Sequence, residues 1–444
     1  MKNIIIILFL FLFIKQSKNL KYKNHLIISL NKFSFLNKIN YYNFSLNNFI
    51  NSDLYINITV GSENQQIPVF LNQSKYETIL SGENTSYSHK FLELKSKSYC
   101  IINDTNKNKN MYSDEYLQGT HSVDIIKFDK NTYYIENFHF LLVTEFSNKL
   151  IEKNILGLKL EGSVGEINKY KDYNFMNQLT ELDKNMYTIS FNDNSFYNNN
   201  GNIIFGLYPH EIFPNKYSYL NLKRTHSNSI LWSIEFDKIA YDNSSVASGR
   251  IVYFNIEFGL ILGSDYLYRI LKRDFFGEYY EKNLCWEKNE SFPKIYIECD
   301  NSVKINRFKN ISFYLRSENF SFIFDYNDLF IKQNNKHIFL IIFDKNLLNR
   351  YVFGKLFFQK YQMTFNIDSK MIYWYDKILK NSSFNIYNYF TFSYFLNFLF
   401  FIIIIFLILI LIKFYINKPR KKKANELEEN YYYNQIEVNL IKNI

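Results

Sequence analysis

Glycine, proline and cysteine are all scarce in this 444-residue chain, at 13, 5 and 3 residues. Three cysteines are too few for a disulfide-knit scaffold. No Cys/His cluster has zinc spacing, so no metal site is expected. A glycine-rich phosphate-binding loop is also missing, and with it any expectation of a cofactor. The seven histidines show no triad spacing. Helical periodicity is weak between the two hydrophobic ends of the chain, which argues against a helical bundle.

What is present is apolar and strand-like. Hydrophobic residues make up 47% of the chain, enough for a sizeable core. Short apolar or alternating runs recur: Leu54–Val60, Ile67–Leu71, Ser122–Phe128, Tyr187–Phe191, Ile203–Phe205, Ile251–Phe254, Ile295–Ile297, Ile338–Phe343 and Met363–Ile367. Many such runs over 300 residues predict an all-β fold. Short helices are expected at Phe175–Glu181 and Asp265–Phe275. The formal net charge is +10, part of it in one cluster from Lys418 to Lys423. No aromatic-plus-basic array accompanies that cluster, so no nucleic-acid partner is expected.

The two ends carry addressing signals. Met1-Lys2-Asn3, the apolar run Ile4–Ile14, then Lys15 and Gln16 read as a signal peptide over residues 1–18. Residues 390–412 contain no charge. At about 1.5 Å per residue such a helix crosses a ~30 Å hydrocarbon layer. Lys413 and the Lys418–Lys423 cluster follow it, and the positive-inside rule puts them in the cytosol. The expected protein therefore has a lumenal or extracellular ectodomain, one span, and a cytosolic tail over 413–444, in the secretory pathway or at the cell surface. Residues 19–50 form a polar, basic leader with one apolar string, His25–Leu30, read either as a short pro-segment or as an N-terminal strand. Asn-X-Ser/Thr triplets recur, at Asn57, Asn84, Asn310 and Asn319 among others, as glycoprotein signals in an Asn-rich chain. In such a compartment Cys285 and Cys299, closing a loop of about 15 residues, are expected to form a disulfide, while Cys100 lacks an obvious partner.

Read in order, seven blocks resemble the pepsin-like aspartic proteases. Tyr55–Gly61 followed by Pro68–Leu71 resembles the family's opening strands. Tyr112, with Gly119 and Asp124 at the following offsets, resembles its flap. Ile155-Leu-Gly-Leu158, Met186–Phe191 with Gly201–Gly206, Leu231–Ile234, Ile251–Gly263 and Val352–Phe365 complete the series. Gly61, Gly119, Gly157, Gly206, Gly263 and Gly354 fall on the family's glycine positions. The resemblance implies a bilobal all-β fold with an N-terminal lobe over 51–210 and a C-terminal lobe over 211–378, followed here by the membrane helix.

The resemblance also marks the departures. Where the first active-site loop should read Asp-Thr-Gly-Ser, the chain has Asn72-Gln73-Ser74-Lys75, and the second loop reads Asn255-Ile256-Glu257. In an active member, two aspartates about 3 Å apart share one proton, so one serves as base and the other as acid. A primary amide has no such proton affinity, so the resemblance implies that no catalytic aspartate is retained. Isoleucine also lacks the hydroxyl with which the family bridges its two loops. Lys75 and Glu257, replacing small residues, are expected to fill the pocket beneath the flap residue Tyr112 with opposite charges. Asp237 and Asp265 read as a solvated turn and a helix cap. The favoured reading is a membrane-anchored pseudoprotease binding a peptide or protein. An endopeptidase with divergent loops and a structural subunit of a membrane complex remain as alternatives. Protease treatment of sealed vesicles should leave residues 19 to about 388 intact and clip only the tail; digestion of the large domain would refute this topology.

Overall fold

The computed structural model describes residues 26–32, 54–102, 108–112, 115–128, 133–146, 153–160, 173–191, 201–212, 219–223, 231–242, 244–291, 294–344 and 350–375, with six further positions between 400 and 431. The expected signal peptide lies outside the described residues. Of the expected span, only Phe400, Leu407, Leu409 and Ile410 are described, all helical. No helix among the described residues is long and apolar enough to cross a membrane. Two compact units divide the chain, Met1–Asn381 and Ser382–Ile444.

The first unit is built from strands, because its apolar residues alternate with a period of two. In Leu54–Val60, residues 54, 56, 58 and 60 are buried while Asn57 faces solvent. The next strand, Gln65–Asn72, starts half-exposed and becomes buried on both faces from Ile67 onward. That change marks where it enters the lobe and gains a parallel neighbour, Ile155–Gly157. Among the described residues the strands form one sheet of fourteen and another of eleven.

The two lobes repeat one arrangement. In the first, Phe70–Asn72 runs parallel to Ile155–Gly157, and Ile79–Ser81 runs parallel to Leu141–Val143. In the second, Ile251–Phe254 runs parallel to Arg350–Phe353, and Ile261–Ser264 runs parallel to Ile341–Asp344. Asn72 and Asn255 thus stand at equivalent places, one ending its strand and the other just after its strand. Six antiparallel strands join the lobes in the order Tyr219–Lys223, Met371–Tyr375, Gln362–Asn366, Met186–Phe191, Gly201–Phe205, Leu26–Lys32. The apolar string of the leader is therefore a strand, paired to Gly201–Phe205 and to Tyr55.

The helices are short, and their limits differ from expectation. The first covers only Phe175–Gln178, with the Asn174 side chain capping Asn177 N–H. The second region is longer than expected, running as Asp265–Leu271, a π-turn over Lys272–Phe276, and Gly277–Glu281. Leu267, Tyr268, Leu271, Phe275 and Phe276 are buried, so packing carries the helix past the point where periodicity alone would end it. Its cap is Ser264 rather than Asp265, which pairs with Arg269. Asp237 accepts a hydrogen bond from Arg316 N–H at 2.7 Å. Cys285 and Cys299 face each other across an antiparallel pair and are joined as a disulfide; Cys100 is free and exposed.

Each lobe packs a glycine against the backbone of its own loop. A Cβ on Gly157 would lie 2.6 Å from both Tyr76 O and Glu77 O. One on Gly354 would lie 2.1 Å from Phe258 O and 2.3 Å from Leu260 O. Backbone atoms cannot swing aside, whereas the Cβ of an alanine at Gly263 would meet only the side chains of Ile341 and Phe343, at 3.1 Å or more. Gly354→Ala should therefore abolish a cooperative thermal transition, and Gly263→Ala should only lower its midpoint. Equal midpoints for the two variants would show that the Gly354 contact does not constrain the loop.

Candidate functional site

The two loops are organised in the same way by their asparagines. Asn72 Oδ1 accepts from Ser74 N at 2.8 Å, and Asn255 Oδ1 accepts from Glu257 N at 3.0 Å, each two residues on. Lys159 N donates to Lys75 O, and Lys355 N donates to Phe258 O, each three residues beyond the asparagine. Asn72 Oδ1 also takes Ser74 Oγ at 2.7 Å and Lys75 N at 2.9 Å. With its oxygen saturated by three donors, the Asn72 carboxamide has one orientation, and its Nδ2 points away from the loop.

That Nδ2 donates to Glu257 Oε2 at 2.8 Å, crossing from the first lobe to the second. The other carboxylate oxygen, Oε1, lies 2.9 Å from Lys153 Nζ. Lys153 Nζ also stands 5.4 Å from the Phe70 ring centre, a distance at which a cation is attracted to the π face. The side chains of Lys153 and Glu257 are 21% and 28% exposed, so the pair is neither sealed nor fully solvated. The sequence reading set Lys75 opposite Glu257. The cation placed on its carboxylate is instead Lys153, two residues before the Ile155-Leu-Gly strand. Nothing in the sequence separates this lysine from the many others.

The loops are tied together by Gln73. Its Oε1 accepts from Ile256 N at 2.8 Å, and its Nε2 donates to the Tyr187 hydroxyl at 2.8 Å. Half of the family's inter-loop bridge is thus made. Ile256 has no hydroxyl to return the bond, but the longer Gln73 side chain reaches across from the other side. Tyr187 donates its own O–H to Leu158 O at 3.3 Å, and Trp232 Nε1 donates to the same carbonyl at 3.3 Å. Burial holds the Tyr187 phenol far above the ordinary tyrosine range, so it remains a donor throughout. Beneath it, Tyr187, Trp232 and Phe365 form a ring cluster with centroids 5.0 to 6.3 Å apart. Each such pair contributes about 0.5–1.5 kcal/mol beyond simple burial. Neither Tyr187 nor Trp232 stood out in the sequence as a site residue.

Tyr112 ends the strand Asn108–Tyr112, whose hairpin partner begins at Glu115. Among the described residues no group of three or more His, Cys, Asp or Glu could hold a metal ion. Among the described residues, the groups that meet at Glu257 are the Asn72 carboxamide and the Lys153 ammonium, with Asn255 holding the backbone of the second loop. The carboxylate is already committed to these two groups.

Comparison with known proteins places this arrangement. No curated protein matches the chain. The model of the eukaryotic aspartyl protease family matches residues 53–374, which include both loops and the hairpin that carries Tyr112. That stretch covers well over half of the 444 residues. The chain belongs to the eukaryotic aspartyl protease family.

Proposed function

We propose that the protein is a membrane-anchored aspartyl protease homologue without catalytic activity, whose inter-lobe cleft binds a peptide or protein. Its ectodomain lies in the lumen or outside the cell. One observation carries the reading: Asn72 donates to the Glu257 carboxylate at 2.8 Å, where the family's reaction needs a proton-sharing carboxylate pair and a water. Neither asparagine can accept a proton from water. Among the described residues Glu257 is the carboxylate at this centre, and its two oxygens are taken by Lys153 at 2.9 Å and by the Asn72 amide at 2.8 Å. The backbone that supports substrate in the family, including the paired loops and the flap hairpin, is kept. Retention of the frame with removal of the acid–base pair fits binding rather than turnover.

Restoring the aspartates alone should not restore activity. A carboxylate at residue 72 would face Glu257 across the present 2.8 Å contact, and like charges at that distance repel. The Gln73 tie would persist, but without a reciprocal hydroxyl from residue 256. Misplacement by about 1 Å commonly costs ~100-fold in rate. The full chain carrying Asn72→Asp and Asn255→Asp should show no pepstatin-sensitive cleavage of a peptide library at acidic pH. Partial activity should return only when residues 72–75 and 255–259 are both replaced by family-type loops. Cleavage by the unaltered chain, or by the plain double variant, would refute the pseudoprotease reading in favour of a divergent endopeptidase.

A further inference from the structure

The polarity of the centre is reversed relative to a pair of aspartates. A carboxylate at residue 72 would offer the cleft an acceptor oxygen. Asn72 offers an N–H donor instead, locked outward because its oxygen is filled by Ser74 N, Ser74 Oγ and Lys75 N. Lys153 adds a full positive charge beside it. Together these two groups already do one specific thing: they hold a carboxylate, with Asn72 Nδ2 at 2.8 Å and Lys153 Nζ at 2.9 Å from its two oxygens. Charge-assisted pairs of this kind are about twice as strong as neutral ones.

Resting on the cleft-binding reading, we propose that the junction of the two loops is a carboxylate-binding site, filled in the unliganded protein by Glu257. A bound peptide then contributes its own carboxylate, from an acidic side chain or from a free C-terminus, in exchange for Glu257. Three features make the exchange feasible. The backbone N–H of Glu257 is held by Asn255 Oδ1 at 3.0 Å, so the side chain can rotate out while the loop stays in place. The partial exposure of Glu257 and Lys153 leaves both within reach of an external group. Lys153 remains against the Phe70 ring when Glu257 departs, so the cation stays at the site. The incoming carboxylate replaces contacts of equal kind, so the natural affinity at this one position is modest and selectivity against neutral groups is the larger effect.

Three peptide pools, randomised at flanking positions, separate the possibilities. One has a central Glu and an amidated C-terminus, the second a central Gln and a free C-terminus, and the third a central Gln and an amidated C-terminus. Retention is measured on the full chain in detergent, for the native protein and for Glu257→Ala. The variant should retain at least one acidic pool about tenfold better than the neutral pool, the worth of one charge-assisted hydrogen bond. Which acidic pool wins assigns the source of the carboxylate. The native chain should show the same preference at a smaller ratio, and adding Lys153→Met to Glu257→Ala should erase it. Glu257→Gln preserves volume and hydrogen bonding to Asn72, and it carries the test if Glu257→Ala loses its thermal transition. Equal retention of acidic and neutral pools by the variant overturns the carboxylate site while leaving peptide binding in place. Retention of no pool by either protein overturns cleft binding, and the carboxylate site with it.

Discussion

One hydrogen bond, from Ile256 N–H to the Gln73 side-chain carbonyl, sets the position of the two lobes' loops relative to each other. It is made between residues 1% and 0% exposed, so no water can substitute for either partner. A buried bond left unmade costs about 1–3 kcal/mol, which makes this contact a constraint and not a decoration. Gln73 can reach Ile256 only because its amide nitrogen is fixed on the Tyr187 hydroxyl, and Tyr187 is fixed in turn by Leu158 O and by stacking on Phe365. The tie thus runs from the loop into the six-stranded sheet that joins the lobes. Asn72 and Asn255 flank it directly, so their placement follows from it.

With the loops fixed, the chemistry of the centre follows from hydrogen-bond bookkeeping. Each asparagine spends its side-chain oxygen on its own loop, and in Asn72 that leaves the nitrogen as the group offered across the junction. The neighbour that answers is Glu257, carried on the equivalent position to Ser74. A small residue there would leave room for water; a glutamate brings an anion into the gap and draws in Lys153. Asn72, Lys153 and Glu257 are therefore one arrangement of donor, cation and anion. Reading any one of them alone misjudges the site.

Much of the frame was legible in the residue pattern. Alternation in Leu54–Val60 and the buried run Ile67–Asn72 depend on neighbours only for their partners, not for their existence. The same holds for Gly157 and Gly354, whose positions in the pattern coincide with close backbone approaches that exclude a Cβ. Less legible were the limits of helices, since the run from Asp265 to Glu281 continues through packing of Phe275 and Phe276 that no local propensity encodes. The leader string was ambiguous for a related reason: Leu26–Lys32 becomes a strand because Gly201–Phe205 offers an edge, and the paired residues are 171 to 179 positions apart.

By itself the sequence determined the all-β class through local periodicity, and the secretory reading with a short loop pointed to the Cys285–Cys299 disulfide; the two lobes and the asparagines where the loops turn followed from the resemblance to the family. All of these rest on residue type and order, which a linear reading contains. The tertiary structure alone decided that Gln73 bridges to Ile256, that Tyr187 and Trp232 support it, and that Lys153 rather than Lys75 lies at the Glu257 carboxylate. Those contacts join residues 74 to 183 positions apart, and long polar side chains select among many partners within reach. The choice depends on distances of a few ångströms set by the packed sheet below, which no spacing along the chain specifies.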